Sequence, residues 1–271
     1  MSEAEKPLRY AADWIARKKQ SRRIVVVTAY DAAFARLVAR SRVDAILVGD
    51  SLSMVVQGHR STIPVTLDEM IYHAQMVRRG APDAFVIGDL SFGSFQKNMD
   101  QAIESAIRMV KEGGVNAVKM EGAEAHVLDA IRHLTTAGVP VMGHTGLKPQ
   151  TVMTTGGYRV QGRSETEKKL EDEARALCQA GCFAMIFELV VSAVATRLSK
   201  DLPVPVIGIG SGAGTDGQVL VLHDLLGIDD SFQARHVKRY VDLAGLVTGA
   251  LNEFGDEVRR GDFPGDEHSF S

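Results

Sequence analysis

Ala84-Phe-Val-Ile-Gly-Asp89 and, after a helical stretch closed by Gly113-Gly114, Ala117-Val-Lys-Met-Glu121 carry the pattern that decides the fold. Each is a short, nearly continuous apolar run that ends on an ionisable residue. Such runs suit parallel strands covered on both faces, where neither side meets water. Working outward, similar runs recur at Ile24 to Val27, Ala45 to Val48, Val139 to Met142, Phe183 to Phe187, Val204 to Ile207 and Val219 to Leu222. With Ala84 to Ile87 and Ala117 to Lys119 they make eight. Amphipathic segments lie between them. Thr66 with Glu69 reads as a capping box, and so does Ser164 with Glu167. Gly80, Gly113, Gly114, Gly138 and Gly181 fall where those helices should stop.

Eight strands alternating with helices predict an α/β fold, a (β/α)8 TIM barrel forming a single domain over residues 1–271. An open doubly wound sheet is the competitor. No G-x-G-x-x-G follows the first strand, which ends Thr28-Ala29-Tyr30-Asp31, so dinucleotide binding has no support there. A helix over roughly Arg9 to Lys19, inside an N-terminal extension spanning roughly 1–22, closes the barrel bottom or packs on a neighbouring subunit. Residues 262–271 form a C-terminal tail.

The composition narrows the function. The 271 residues are 45% hydrophobic and carry 31 Lys and Arg against 34 Asp and Glu, a net charge of -3. That is ordinary for a globular chain and excludes disorder. There is no basic excess for phosphates, and aromatics at 6% are few for base stacking, so no nucleic acid partner is expected. The longest apolar runs are strand-length, so no membrane span is expected, and the opening Met-Ser-Glu-Ala-Glu-Lys holds no apolar signal segment. Cys178 and Cys182 are too few for a disulfide framework and read as buried structural thiols. The chain reads as cytoplasmic.

What ends each run is the informative feature. The second strand ends Val-Gly-Asp50-Ser51, the third Ile-Gly-Asp89, the fourth Val-Lys119-Met-Glu121, the fifth Met-Gly-His144 and the sixth Ile-Phe-Glu188. In a barrel these positions open onto the C-terminal mouth, where such enzymes place their chemistry. One acid after a strand is commonly a helix N-cap, but five consecutive polar strand ends are not explained that way. Asp50, Asp89 and Glu121, with no Cys or His at ligand spacing, suggest a hard cation, and Mg²⁺ fits best. Oxygen ligands accept Mn²⁺ or Co²⁺ as well. Lys119 shares a face with Glu121 and supplies a positive charge for a substrate carboxylate or a developing enolate. His144 reads equally as a core histidine or a site group, and His59 as a loop residue. The glycines from Gly208 to Gly214 follow strand seven, where many barrels hold phosphate, yet glycines also let backbone pass closely. A metal, a lysine and a free carboxylate at a barrel mouth suit proton abstraction beside the carbonyl of a 2-oxo acid.

These residues sit in a run of motifs that resembles the ketopantoate hydroxymethyltransferase family of the phosphoenolpyruvate/pyruvate barrel superfamily. The likeness runs through Val27-Thr-Ala-Tyr-Asp31, Leu47-Val-Gly-Asp-Ser51, Val56-Gln-Gly-His59, Pro64-Val-Thr66 and Val77-Arg-Arg-Gly-Ala-Pro82. It continues in Val118-Lys-Met-Glu-Gly122, Gly156-Gly-Tyr-Arg-Val-Gln-Gly-Arg163, Ile207-Gly-Ile-Gly210, Thr215-Asp-Gly-Gln218 and Glu267-His-Ser-Phe270. The resemblance implies transfer of a hydroxymethyl group from 5,10-methylenetetrahydrofolate to 3-methyl-2-oxobutanoate, giving ketopantoate for pantothenate synthesis. It implies Asp50 and Asp89 as direct Mg²⁺ ligands and Glu121 as the third acid of the metal site. Ser51 and Lys119 then bind substrate, His144 contacts the ketoacid or its enolate, and Glu188 accepts the proton. It also implies a homo-oligomer, a decamer of barrels. The chain departs from the family's common pattern at Ser91 and Val191, where prolines are usual, at Met153 and Ala213, where asparagines are frequent, and at Ser211, where alanine is usual. Two alternatives stay open: a superfamily enzyme making or breaking a carbon–carbon bond without folate, and a silent barrel that only binds a ketoacid.

Overall fold

The computed structural model describes residues 7–229 and 234–270, and the described chain falls into two compact units that divide between Val221 and Leu222. The first unit is a closed barrel of eight strands in sequential order. They are β1 (Ile24–Thr28), β2 (Ala45–Val48), β3 (Phe85–Asp89), β4 (Ala117–Glu121), β5 (Val141–Gly146), β6 (Ala184–Glu188), β7 (Val206–Ile209) and β8 (Gly217–Leu220). Every neighbouring pair, including β1 with β8, is parallel. The eight expected runs are these eight strands.

Helices α1 (Ala11–Lys19), α2 (Ala32–Ala39), α3 (Leu52–Val55), α4 (Leu67–Gly80), α5 (Met99–Lys111), α6 (Ala125–Thr136), α7 (Val152–Thr155), α8 (Glu165–Gln179) and α9 (Ser192–Asp201) belong to this unit. The second unit holds α10 (Leu222–Leu226), α11 (Leu243–Arg260) and a short helical turn, Asp266–His268. Residues 1–6 of the expected N-terminal extension and Ser271 of the expected tail lie outside the described residues.

Local chemistry explains several helix ends. The Thr66 hydroxyl accepts the Glu69 N–H at 3.3 Å while the Glu69 carboxylate accepts the Thr66 N–H at 2.7 Å, so the first capping box forms. The second does not. Ser164 does precede α8, but its φ is +41° and its hydroxyl caps nothing. An N-cap side chain reaches the first turn from extended backbone, a geometry Ser164 lacks. After α5, α6 and α8 the chain turns away through Gly114, Gly138 and Gly181, all at positive φ.

Alternation with helices fails once. Between β7 and β8 the chain returns through residues 210–216 alone. Gly217 pairs with Ile207, so the chain returns only part-way down β7, and it does so through bends with Gly210 and Gly212 at positive φ. Gly212 and Gly214 pass against the side chains of Ser192 and Thr196 on α9, where a Cβ has no room. In this glycine run the residues at Gly212 and Gly214 serve close passage of backbone.

The period of two along each strand builds the interior. Ile24, Val26, Ala45, Leu47, Phe85, Ile87, Ala117, Met142, Ala184, Ile186, Ile207 and Val219 fill it, with Leu8, Trp14 and Phe183 beneath. Trp14 of α1 stands 5.4 Å from Phe85 and 5.5 Å from Phe183, ring centre to ring centre. Arg17 pairs with Asp44 at 3.1 Å, and Lys18 with Asp216 at 2.6 Å. Asp216 also accepts the Ser199 hydroxyl and the Val206 N–H. Of the two sequence readings of α1, closure of the barrel bottom is the one observed. Cys182 is buried as expected, whereas Cys178 is only half-buried; both are free thiols. Burial pushes Cys178 up to about 11 and Cys182 higher still, so neither is a ready nucleophile.

Candidate active site

The alternation that turns Phe85 and Ile87 inward turns Asp89 inward too. By the same count Lys119 and Glu121 follow Ala117, His144 follows Met142, and Glu188 follows Ile186. The barrel is therefore apolar through its lower layers and charged at its C-terminal rim. Asp50, on the loop after β2, joins this layer and is buried.

Contacts run around the rim from strand to strand. Asp89 and Lys119 are register partners, and the ammonium meets the Asp89 Oδ1 at 2.7 Å. The other Asp89 oxygen accepts the Asp50 N–H at 3.0 Å. Lys119 also lies 3.8 Å from Glu121. Glu121 faces its register partner His144, whose Nδ1 is 3.2 Å away, and His144 Nε2 is 3.4 Å from Glu188. Both ring nitrogens are at ion-pair distance but off hydrogen-bond alignment. Ser51 opens the turn into α3, its hydroxyl 2.9 Å from that of Tyr30. The structure thus gathers the sequence-expected residues at one mouth.

Burial and mutual charge set the protonation states. Asp50 is pushed up to about 8, first by burial and then by the neighbouring charges of Asp89 and Glu121. Burial works against charge on Lys119, but Asp89, Glu121 and Asp50 together hold it above the usual ammonium value. Burial likewise opposes a charged imidazole, yet Glu121 and Glu188 outweigh it and raise His144 to about 9. Glu121 would rise on burial alone; His144 and Lys119 hold it below the usual carboxylate range. Four carboxyl groups thus share the rim with Lys119 and His144, and that of Asp50 is largely protonated at neutral pH. Glu188 differs from the rest in access: its side chain is 20% exposed, against 3% for Asp89 and 5% for Glu121.

Among the described residues, no three His, Cys, Asp or Glu side chains are gathered as ligands around one point. Mg²⁺ does not require that, since it is commonly held through one or two carboxylates while keeping waters or substrate oxygens. The carboxyl donors are hard oxygens, and a divalent cation held by Asp50 and Asp89 would offset the burial and the neighbouring charges that raise Asp50.

One residue escaped the sequence reading. Gln150, in the short helical turn Pro149–Thr151, is buried, and its amide donates to Asp50 Oδ2 and to the Leu90 carbonyl, both at 2.9 Å. Its backbone N–H reaches Glu121 at 3.3 Å, and the Gln96 amide donates to its side-chain Oε1 at 2.9 Å. Tyr158, quoted above only as part of a motif, also faces the cluster. Burial and the charges of Glu188, Asp50 and Glu121 raise its phenol.

Comparison with known proteins identifies the family. The family model described as ketopantoate hydroxymethyltransferase matches residues 10–266. A 3-methyl-2-oxobutanoate hydroxymethyltransferase of Moorella thermoacetica is 51% identical over 94% of this chain and 95% of its own. One from Leptospira interrogans is 48% identical, covering 93% of this chain and 96% of its own. Among solved structures, 2,3-dimethylmalate lyase aligns with a TM-score of 0.60 at 15% identity, over 98% of this chain and 93% of that one. A phosphoenolpyruvate phosphomutase from Streptomyces platensis aligns with a TM-score of 0.61 at 15% identity, over 93% and 99%. At such identities these two structures speak for the shared barrel alone. The family match over nearly the whole length shows that the chain belongs to the ketopantoate hydroxymethyltransferase family.

Proposed function

We propose that this chain transfers a hydroxymethyl group from 5,10-methylenetetrahydrofolate to 3-methyl-2-oxobutanoate, forming ketopantoate. The observation that carries the reading is the buried run Asp50–Asp89–Lys119–Glu121–His144, ending on the more accessible Glu188, at the C-terminal rim. Relatives near 50% identity bear the name of that activity.

The residues divide the work by charge and access. Asp50 and Asp89 would hold Mg²⁺, with Glu121 as the third acid of its surroundings. Bound there, Mg²⁺ supplies the Lewis acidity that lowers the barrier to removing a proton beside a ketone. Lys119 presents a fixed positive charge to the ketoacid, and Ser51 offers its hydroxyl to the substrate carboxylate. His144, charged at neutral pH, donates toward the oxygen on which negative charge develops. Glu188 is the carboxylate with an open approach, and it accepts the β-carbon proton. The freed carbon then bonds to the folate's one-carbon unit, whose two C–N bonds break; one water supplies the hydroxyl, and its remaining proton and the one removed from the β-carbon end on the two nitrogens of the departing tetrahydrofolate.

No described helix is long and apolar enough to cross a membrane, and a cytoplasmic setting completes the proposal. Leu246, Leu251 and Phe254 of α11 are exposed, which favours assembly into a homo-oligomer, for which the family resemblance implies ten subunits.

Incubation with the ketoacid, Mg²⁺ and the folate donor should yield ketopantoate and tetrahydrofolate in equal amounts. A carbon–carbon bond reaction proceeding equally well without folate would replace this reading with the other superfamily chemistry.

A further inference from the structure

The residue after Glu188 is Leu189, a non-glycine residue held at φ +48°. Left-handed backbone is unfavourable for a side chain branching like leucine's, and it persists only where surrounding contacts over-determine it. Those contacts can be followed peptide by peptide. The Ser211 hydroxyl donates to the Phe187 carbonyl at 2.7 Å. The Glu188 carbonyl accepts the Leu147 N–H at 2.8 Å, and the Leu189 N–H donates to the Ile209 carbonyl at 2.9 Å. The Leu189 carbonyl accepts the Gln161 N–H at 2.7 Å, and the Val191 N–H returns to the Gln161 carbonyl at 3.0 Å. Between them, the Val190 N–H donates to the Ser211 oxygen at 3.1 Å. Gly146 passes so close to the Glu188 carbonyl that a Cβ has no room there.

Every bond in this set is backbone to backbone except the two made by Ser211. That side chain is completely buried. Its one hydroxyl donates on the near side of the Glu188–Leu189 pair and accepts on the far side, so it spans the left-handed turn. We propose that Ser211 is a positioning residue for Glu188, with the Ser211–Leu189 turn fixing where that carboxylate stands beside His144. The inference rests on Glu188 being the proton acceptor.

Exchange of the β-carbon proton of 3-methyl-2-oxobutanoate in deuterated water, with Mg²⁺ and the full chain, tests it. Alanine is usual at this position in the family beside a proline at 191, but this chain has Val191, so here Ser211→Ala should lower kcat for exchange about tenfold, because small misplacement of a reacting group is costly in rate. KM for the ketoacid should stay within twofold. Leu189→Asn, which tolerates a left-handed φ, should keep kcat, whereas Leu189→Val, which does not, should lose it. In a Glu188→Gln background, Ser211→Ala should change nothing further, since both act through one carboxylate. Wild-type kcat in Ser211→Ala, or the same drop with and without Glu188, overturns the clamp. Wild-type exchange in Glu188→Gln overturns the assignment of the base instead, so the two failures are distinguishable.

Discussion

Asp89 and Lys119 stand opposite one another in register on β3 and β4, and their charges meet at 2.7 Å inside the barrel. Both side chains are almost wholly buried, at 3% and 5% exposure. A buried charge is tolerable only while its partner remains. Lys119→Met strands Asp89 and should lower stability to urea by about 3–5 kcal/mol. Adding Asp89→Asn to Lys119→Met should destabilise by less than the sum of the single changes. A loss below about 1 kcal/mol in Lys119→Met would mean the pair is weaker than its burial implies.

Under the proposed function, Asp50 would link Mg²⁺ binding to pH. Its carboxyl is raised to about 8 by burial and by Asp89 and Glu121, so below that value Mg²⁺ must displace a proton. Titration calorimetry between pH 6.5 and 8.5 should show apparent Mg²⁺ affinity rising by up to about tenfold per pH unit, then levelling above about pH 8. The metal-free protein should move the opposite way. Asp50 and His144 both have folded values above their usual ones, so each contributes stability that is complete at low pH. That stability is lost as pH rises through about 8 and about 9 respectively. Melting temperature without metal should therefore fall from pH 6.5 to 9, and Mg²⁺ should offset the fall. In Asp50→Asn, the Mg²⁺ response should disappear.

Gln150 orients Asp50 without carrying charge. Residues that hydrogen-bond a metal ligand typically change metal affinity by about 10–100-fold when removed. Gln150→Ala should raise the Mg²⁺ concentration for half-maximal activity within that range. An unchanged Mg²⁺ requirement would show that the bond to Asp50 Oδ2 has no role in holding the ligand.

Trp14 packs at the closed bottom of the barrel. It is fully buried against Phe85 and Phe183, far in the fold from the charged rim. Trp14→Ala should cost about 3–5 kcal/mol, the usual range for removing a buried tryptophan. The kcat of the molecules that remain folded should match wild type, since the bottom layer carries stability and the top layer chemistry.

Sequence and structure part company where long-range contacts decide. Asp89, Lys119, Glu121, His144 and Glu188 were legible because a period of two projects each along its own strand, one layer above an apolar residue. The barrel was legible because its strands repeat one local pattern eight times. Gln150 was not: it sits on a turn beyond β5, and only the return of that turn over the mouth brings its amide to Asp50. The short link between β7 and β8 was hidden for a related reason, since it depends on Gly212 and Gly214 finding space against α9. Ser164 had the right neighbours for a capping box but the wrong backbone dihedral. The Ser211 bonds join two strand ends that lie about twenty residues apart in sequence.

Under the proposed function Glu188 removes the β-carbon proton, and deuterium exchange into 3-methyl-2-oxobutanoate with Mg²⁺ but no folate measures that step directly. Glu188→Gln should slow exchange by about 10²–10⁴-fold while ketoacid binding by calorimetry is preserved. Exchange at the wild-type rate in Glu188→Gln would contradict it.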